Sequence, residues 1–222
     1  MVPTSTVENY LKTILRLSAG LEPSAMVSPG RIAEALDLTP GTVTTMMKHL
    51  DREGYLRYQP RQGVRLRPKG QRAAVQVLRR HRLIELFLVE ILRLDWAHVH
   101  EEAELLEHAL SDRVVERIDE MLGRPAYDPH GDPIPGADGV LREECLRPLS
   151  DCSEGIYELV RVVREDPEYL TWLRDRGLIP GVQVTLEMRD RLAGILLLKV
   201  DGEEASLRIG EPAAGWLRVR EC

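Results

Sequence analysis

The chain has 222 residues, 43% hydrophobic and 30% charged, with a formal net charge of −6, which fits a packed protein of more than one domain and not a disordered one. No apolar run approaches the length of a membrane helix, and the first residues carry neither a basic start nor an apolar signal core, so a cytoplasmic protein is expected. Cys145, Cys152 and Cys222 are odd in number and lack CxxC spacing, which points away from a disulfide framework or a zinc ribbon.

The first helix is predicted to begin at Ser5, whose hydroxyl caps it while Glu8 reaches back, with Val7, Tyr10, Leu11, Ile14 and Leu15 as its apolar stripe. After a break at residues 20–24, Ile32, Ala33 and Leu36 mark a short second helix and Asp37, Leu38 and Thr39 a turn. Pro40 then opens a third helix carrying Val43, Met46, Met47 and Leu50. This is helix-turn-helix spacing. Gly54 closes the third helix, and residues 55–58 and 64–67 alternate as the strands of a β-hairpin, the wing of a winged helix.

Charge supports a DNA-binding role for this segment. Residues 1–73 hold 11 Lys and Arg against 6 Asp and Glu, net +5, whereas the remainder holds 19 against 30, net −11. Such asymmetry is the electrostatic footprint of a phosphate-binding face in an otherwise acidic regulator. With the third helix in the major groove, Thr39, Pro40, Thr42, Thr44, Thr45 and Lys48 are the candidates for the bases, and Arg52, Arg61 and Arg65 for the flanking DNA. Threonine can hydrogen-bond or touch a thymine methyl, but no Arg or Asn stands ready for a bidentate base contact, so specificity rests partly on DNA shape.

Three helices follow, over residues 71–94, 98–110 and 112–122, the last stopped by Gly123 and Pro125. They hold more apolar residues than one stripe needs, which predicts a homodimer suited to a pseudo-palindromic operator. His81 and Glu85 stand at i,i+4 on the first of these helices. On the second, His100, Glu104, Glu107 and His108 fall on one face. Imidazole and carboxylate without thiolate suit a hard divalent ion, manganese or ferrous iron.

Residues 127–139 form a proline- and glycine-rich loop read as a domain boundary. Short β-type runs at 155–163, 183–188, 194–200, 205–209 and 216–219, interrupted by a helix at 167–176, predict a small closed barrel without a catalytic motif. The expected fold is mainly α with a small β domain. It comprises a winged helix-turn-helix domain at 1–73, a helical dimerisation and metal-binding domain at 74–140 and a β-barrel domain at 147–222.

The order and spacing of several segments resemble the diphtheria-toxin-repressor family of metal-dependent transcriptional repressors over nearly the whole length. These are residues 8–14 in the first helix, 32–36 and 42–44 in the DNA reader, His81-Arg82-Leu83 with Glu85, 99–104 with Glu107 and His108, and the loop 131–136. The resemblance implies an SH3-like C-terminal barrel, and a metal-bound dimer that binds double-stranded operator DNA and represses metal-uptake genes. It maps a regulatory site to Glu104, Glu107 and His108 with a group near Asn9, and an ancillary site to His81, Glu85 and His100 completed from the barrel. For that last donor it implies Asp166, with Glu168 as the alternative.

Within the resemblance, Glu104 follows the manganese-responsive pattern, where iron-responsive members have cysteine. Mn2+ is therefore the expected ion and Fe2+ the alternative, with other divalent ions binding in vitro. Asn9 replaces the aspartate usual in the manganese branch, and Lys12 replaces an acidic ligand of that branch's two-metal site, which implies the separated two-site layout. Two other readings are a metal-independent winged-helix regulator that binds a small molecule and a metallohydrolase. The second is weak because His100-Glu101 lacks the second histidine of H-E-x-x-H, and no enzyme is expected.

Overall fold

A computed structural model describes residues 4–22, 24–140 and 144–222. The chain divides into two compact units, residues 1–81 with 135–141 and residues 82–134 with 142–222, and the division falls inside one helix.

In the first unit, α1 (Ser5–Ser18), α2 (Pro29–Ala35) and α3 (Pro40–Arg52) precede the strands β1 (Leu56–Gln59) and β2 (Gly63–Leu66), and α4 (Pro68–Glu90) begins. The α1 cap lies one residue earlier than the sequence suggests. Thr4 holds the extended backbone of a cap and accepts from the Val7 amide, Ser5 is already helical, and Glu8 pairs with Arg80 Nη1 at 3.5 Å. Ser28 and Thr39 cap α2 and α3, each followed directly by a first-turn proline. Tyr10, Leu11, Ile14, Ile32, Val43, Met47, Leu50, Leu56 and Val64 close the core with Ala74, Val75 and Leu78 of α4. The antiparallel hairpin pairs Leu56 with Leu66 and Gln59 with Gly63, and Val27 makes an isolated antiparallel bridge to Val64. Gly70 is required where α4 starts: an added Cβ would lie 2.0 Å from the Tyr55 carbonyl oxygen.

The second unit contains the rest of α4, then α5 (Val99–Leu106) and α6 (Asp112–Met121). The expected helix at 98–110 is shorter in the structure. It ends at Leu106, so Glu107 is its C-cap and His108 lies in the following turn. Leu83, Val115, Ile118 and Ile134 form one small core there and Ile84, Leu88, Val99 and Ala103 another.

After residue 144 come β3 (Arg147–Pro148), β4 (Gly155–Val162), α7 (Pro167–Arg174), β5 (Gln183–Asp190), β6 (Ile195–Val200), β7 (Leu207–Gly210), α8 (Glu211–Ala214) and β8 (Leu217–Glu221). The strands form an antiparallel sheet in the order β3-β8-β4-β5-β6-β7. This corrects the closed barrel: among the described residues the edge strands β3 and β7 do not pair. At two residues, β3 offers too few ladder bonds to close the ring. The sheet's inner face, with Leu159, Val162, Leu186, Leu196, Leu198 and Val219, packs on Leu170 and Leu173 of α7 and on Trp96.

Candidate metal centre

Within the second unit, helices α4 and α5 bring Glu85 and His100 together. His100 Nδ1 lies 3.1 Å from Glu85 Oε1, and Glu85 is buried. The same imidazole reaches Glu104 Oε1 at 3.6 Å through Nε2 and Glu165 Oε2 at 3.6 Å through Nδ1. His81 stands one helical turn before Glu85 on α4 and is buried as well.

The end of α5 presents the second predicted set. Because the helix stops at Leu106, Glu107 is fully buried and its Oε1 lies 3.2 Å from His108 Nε2. Carboxylate oxygens of Glu104 and Glu107 come within 4.8 Å of each other. Asn9 stands half-buried on α1 of the first unit, where Lys12 is buried.

The predicted barrel donor is placed differently. Asp166 is the N-cap of α7, accepting from the Tyr169 amide at 2.9 Å and from Arg164 at 3.2 Å. Those two partners hold its carboxyl below the usual carboxylate range. Glu168 is in the first turn of the same helix. The carboxylate that faces His100 belongs to their neighbour Glu165. The signal was present in the sequence, since Asp before Pro167 is a helix-start pattern that commits Asp166 to capping.

A further group was not foreseen. Glu85, Asp128 and His130 each present a ligand atom within 4.8 Å of the others, and all three are buried. The loop read as a boundary is folded into the second unit at this point. Asp128 accepts from the amides of His130 and Asp132 at 2.9 Å each, and the Val162 amide donates to the His130 carbonyl at 2.9 Å. Gly131 lies against β4 with φ +83°, and an added Cβ would sit 1.9 Å from the Val160 oxygen. Arg82 fastens the loop through Asp132 at 2.7 Å and the Pro133 carbonyl at 2.6 Å.

His130 stacks on Trp96 with ring centroids 5.3 Å apart and bonds the Trp96 carbonyl oxygen through Nε2 at 3.0 Å. Among the described residues its Nδ1 is buried without a hydrogen-bond partner, 4.0 Å from Glu85 Oε2. Burial, then the charges of Asp132 and Glu85, push the Asp128 carboxyl well above the usual range, with Arg82 opposing. An orphaned imidazole nitrogen among crowded carboxylates fits a divalent cation, which would relieve both costs.

The DNA-reading face is built in the first unit. Val43, Met47 and Leu50 turn α3 inward, leaving Thr42, Thr45, Lys48 and Arg52 exposed on its other side. Thr39 is occupied as the cap and bonds the Thr42 hydroxyl at 2.9 Å, and Pro40 follows it at the exposed start of the helix. The Thr44 hydroxyl donates to the Pro40 carbonyl at 2.8 Å and the Thr45 hydroxyl to that of Gly41 at 3.0 Å. Their hydroxyl protons are thus engaged within the helix, which leaves methyl groups and oxygen lone pairs on the exposed face. Arg61 and Arg65 are exposed on the wing.

A winged DNA reader carried in one chain with packed imidazole and carboxylate groups defines a metal-responsive DNA-binding regulator. Residues 3–64 match the iron dependent repressor N-terminal DNA-binding domain, residues 67–136 its metal-binding and dimerisation domain, and residues 147–214 the FeoA domain. The iron-dependent repressor IdeR of Mycobacterium leprae is 32% identical over 212 residues, 90% of each chain. A manganese-dependent transcriptional repressor in complex with manganese superposes with TM-score 0.87 at 36% identity, covering 97% of this chain and 100% of that one. ScaR with bound Zn2+ gives TM-score 0.78 at 34% identity, covering 99% of this chain and 100% of that one.

The chain belongs to the iron-dependent repressor family, which includes the diphtheria toxin repressors. It is a metal-dependent transcriptional repressor, with operator DNA, a second copy of the chain and divalent metal ions as its partners. The family consists of DNA-binding repressors, and no helix among the described residues is long and apolar enough to cross a membrane.

Proposed function

We propose that the chain is a cytoplasmic, non-enzymatic manganese sensor whose metal-loaded dimer binds operators of metal-uptake genes. The observation that carries this reading is the donor set: every candidate ligand group among the described residues is made of imidazole and carboxylate, without cysteine. Oxygen-rich sites suit manganese and ferrous iron, whereas the Irving-Williams order makes zinc the tighter binder in isolation, so geometry and availability select the ion. A bound cation supplies positive charge to carboxylates that otherwise repel one another.

The residues divide the work as follows. Glu85, His100 and Glu165 hold one ion together with His81. Glu104, Glu107 and His108 hold the regulatory ion. Asp128 and His130 give Glu85 an alternative buried partnership. Three functional modules, at 1–73, 74–140 and 147–222, carry DNA reading, metal and dimer contacts, and the sheet-borne donor. Thr39, Pro40, Thr42, Thr44, Thr45 and Lys48 face the bases, and Arg52, Arg61 and Arg65 the adjoining groove and phosphates. Metal acts by favouring the arrangement that binds DNA, and its differential affinity for that arrangement bounds the gain.

The test is fluorescence anisotropy of the full chain on duplexes from upstream of metal-transporter genes, titrating Mn2+ after complete chelation, with Fe2+ run anaerobically in parallel. Binding that needs metal and rises at lower Mn2+ than Fe2+ is expected. Equal binding with and without chelator overturns metal gating, and a response to Fe2+ alone overturns the choice of ion.

A further inference from the structure

Within the second unit, a surface cleft of about 320 Å³ opens beside α7, β7 and α8. Its walls are aromatic in a chain that has few such residues. Only 5% of the sequence is Phe, Trp or Tyr, yet two of the three tryptophans, Trp172 and Trp216, line the cleft together with Tyr169. The Tyr169 hydroxyl donates to the Ala213 carbonyl at 2.8 Å, which fixes that ring. Trp216 meets Tyr169 edge-on with centroids 5.2 Å apart, and Trp172 lies within 8° of parallel to it at 6.4 Å. Tyr169 is buried with the core, whereas both indoles are only half-buried. Rigid aromatic surface left open around a concave site is what a flat ring stacks on.

The polar rim divides into engaged and unengaged groups. The Arg164 guanidinium stands 4.1 Å from the Trp216 ring centroid and bonds Asp166 at 3.2 Å, and Asp166 caps α7 through the Tyr169 amide. These two side chains neutralise each other. Glu168 in the first turn of α7 and Arg208 on β7 are exposed, and among the described residues neither side chain makes an ion pair or a hydrogen bond. The rim therefore offers a ligand one acid and one base, with no net charge between them.

A ligand that uses all of these features is flat, aromatic and dipolar. An ammonium group answers Glu168, and a carboxylate answers Arg208, whose planar fork takes both oxygens. A purely anionic aromatic acid would meet Glu168 as a like charge, and an aromatic amine would meet Arg208 in the same way.

We propose that this cleft binds a free aromatic α-amino acid, with its ring against Trp172 and Trp216, its ammonium at Glu168 and its carboxylate at Arg208. The site needs neither bound metal nor DNA, so its failure leaves the repressor reading untouched.

The test is a titration of the full chain, manganese-loaded and chelated, with L-phenylalanine, followed by the tryptophan emission that the cleft dominates. Three analogues each remove one recognised feature: phenethylamine lacks the carboxylate, 3-phenylpropionate the ammonium and L-leucine the ring. Each should bind at least about tenfold more weakly than L-phenylalanine, the size expected for one charge-assisted contact. Arg208→Gln and Glu168→Gln alter exposed side chains and should keep the thermal midpoint. L-Phenylalanine should fall to the level of phenethylamine in Arg208→Gln and to that of 3-phenylpropionate in Glu168→Gln, in the chelated protein as in the loaded one. No emission change up to the solubility limit of L-phenylalanine, analogues that bind as well as it does, or wild-type affinity in Arg208→Gln overturns the proposal.

Discussion

His130 Nδ1 and Glu85 Oε2 face each other at 4.0 Å in a buried setting, and among the described residues the imidazole nitrogen has no hydrogen bond. A nitrogen left in this state is a cost to the metal-free fold and an asset to a ligand site. His130→Phe keeps an aromatic ring beside Trp96 and removes the donor. Manganese affinity measured by calorimetry should weaken roughly 10- to 100-fold. An unchanged isotherm removes His130 from the ligand set.

The neighbours Glu165 and Asp166 separate ligation from folding. Glu165→Gln should lower metal affinity and leave the thermal midpoint of the metal-free protein in place. Asp166→Ala should do the reverse, because its carboxylate caps α7. Metal titrations beside thermal melts check both, and the opposite pattern returns Asp166 to the site.

Glu104→Cys exchanges a hard oxygen for a thiolate near His100. The order of response should shift from manganese toward ferrous iron and zinc, read as the metal concentration giving half-maximal DNA binding under anaerobic conditions. A variant that keeps the wild-type order places Glu104 outside the coordination sphere.

Gly131 and Gly123 offer a matched pair for stability. Both have positive φ, but only at Gly131 does an added Cβ meet backbone, 1.9 Å from the Val160 oxygen, whereas one added at Gly123 has nothing within 4 Å among the described residues. Gly123→Ala should cost about 1 kcal/mol from backbone conformation alone. Gly131→Ala should cost clearly more and should also weaken metal binding by displacing His130. Equal urea midpoints for the two variants would show that the loop moves aside freely.

Leu105 and Met121 are 72% and 63% exposed on α5 and α6 within the matched dimerisation domain. Leu105→Lys with Met121→Lys should shift sedimentation from dimer to monomer and weaken operator binding. Persistence of the dimer would move the interface to another face.

Much of this was legible in the sequence for local reasons. Pro40 in a first turn, Gly54 after α3 and the alternating hairpin each impose their conformation on a few neighbouring residues; the first two stand as read, and the hairpin forms with each strand one residue nearer the turn, at 56–59 and 63–66. The misses involve choices between adjacent residues or distant partners. Thr4 and Ser5 are both good caps, and only backbone geometry separates them. Nothing in Leu106-Glu107-His108-Ala109 resembles a helix stop, so the early end of α5 was hidden. Asp128 and His130 sit in a glycine- and proline-rich loop whose burial depends on Arg82 and on strand β4, far away in sequence.

The cysteines lie apart from all this. Cys145 and Cys222 are exposed, Cys152 is buried, and none joins a candidate ligand group among the described residues. Thiolate ligands are what peroxide attacks first in many metal sites, converting them to sulfenic and then irreversibly oxidised forms. A site made only of imidazole and carboxylate has no such weak point. During oxidative stress, when manganese is a useful ion because it does not feed peroxide chemistry as iron does, this ligand set would stay chemically intact and continue to report its metal.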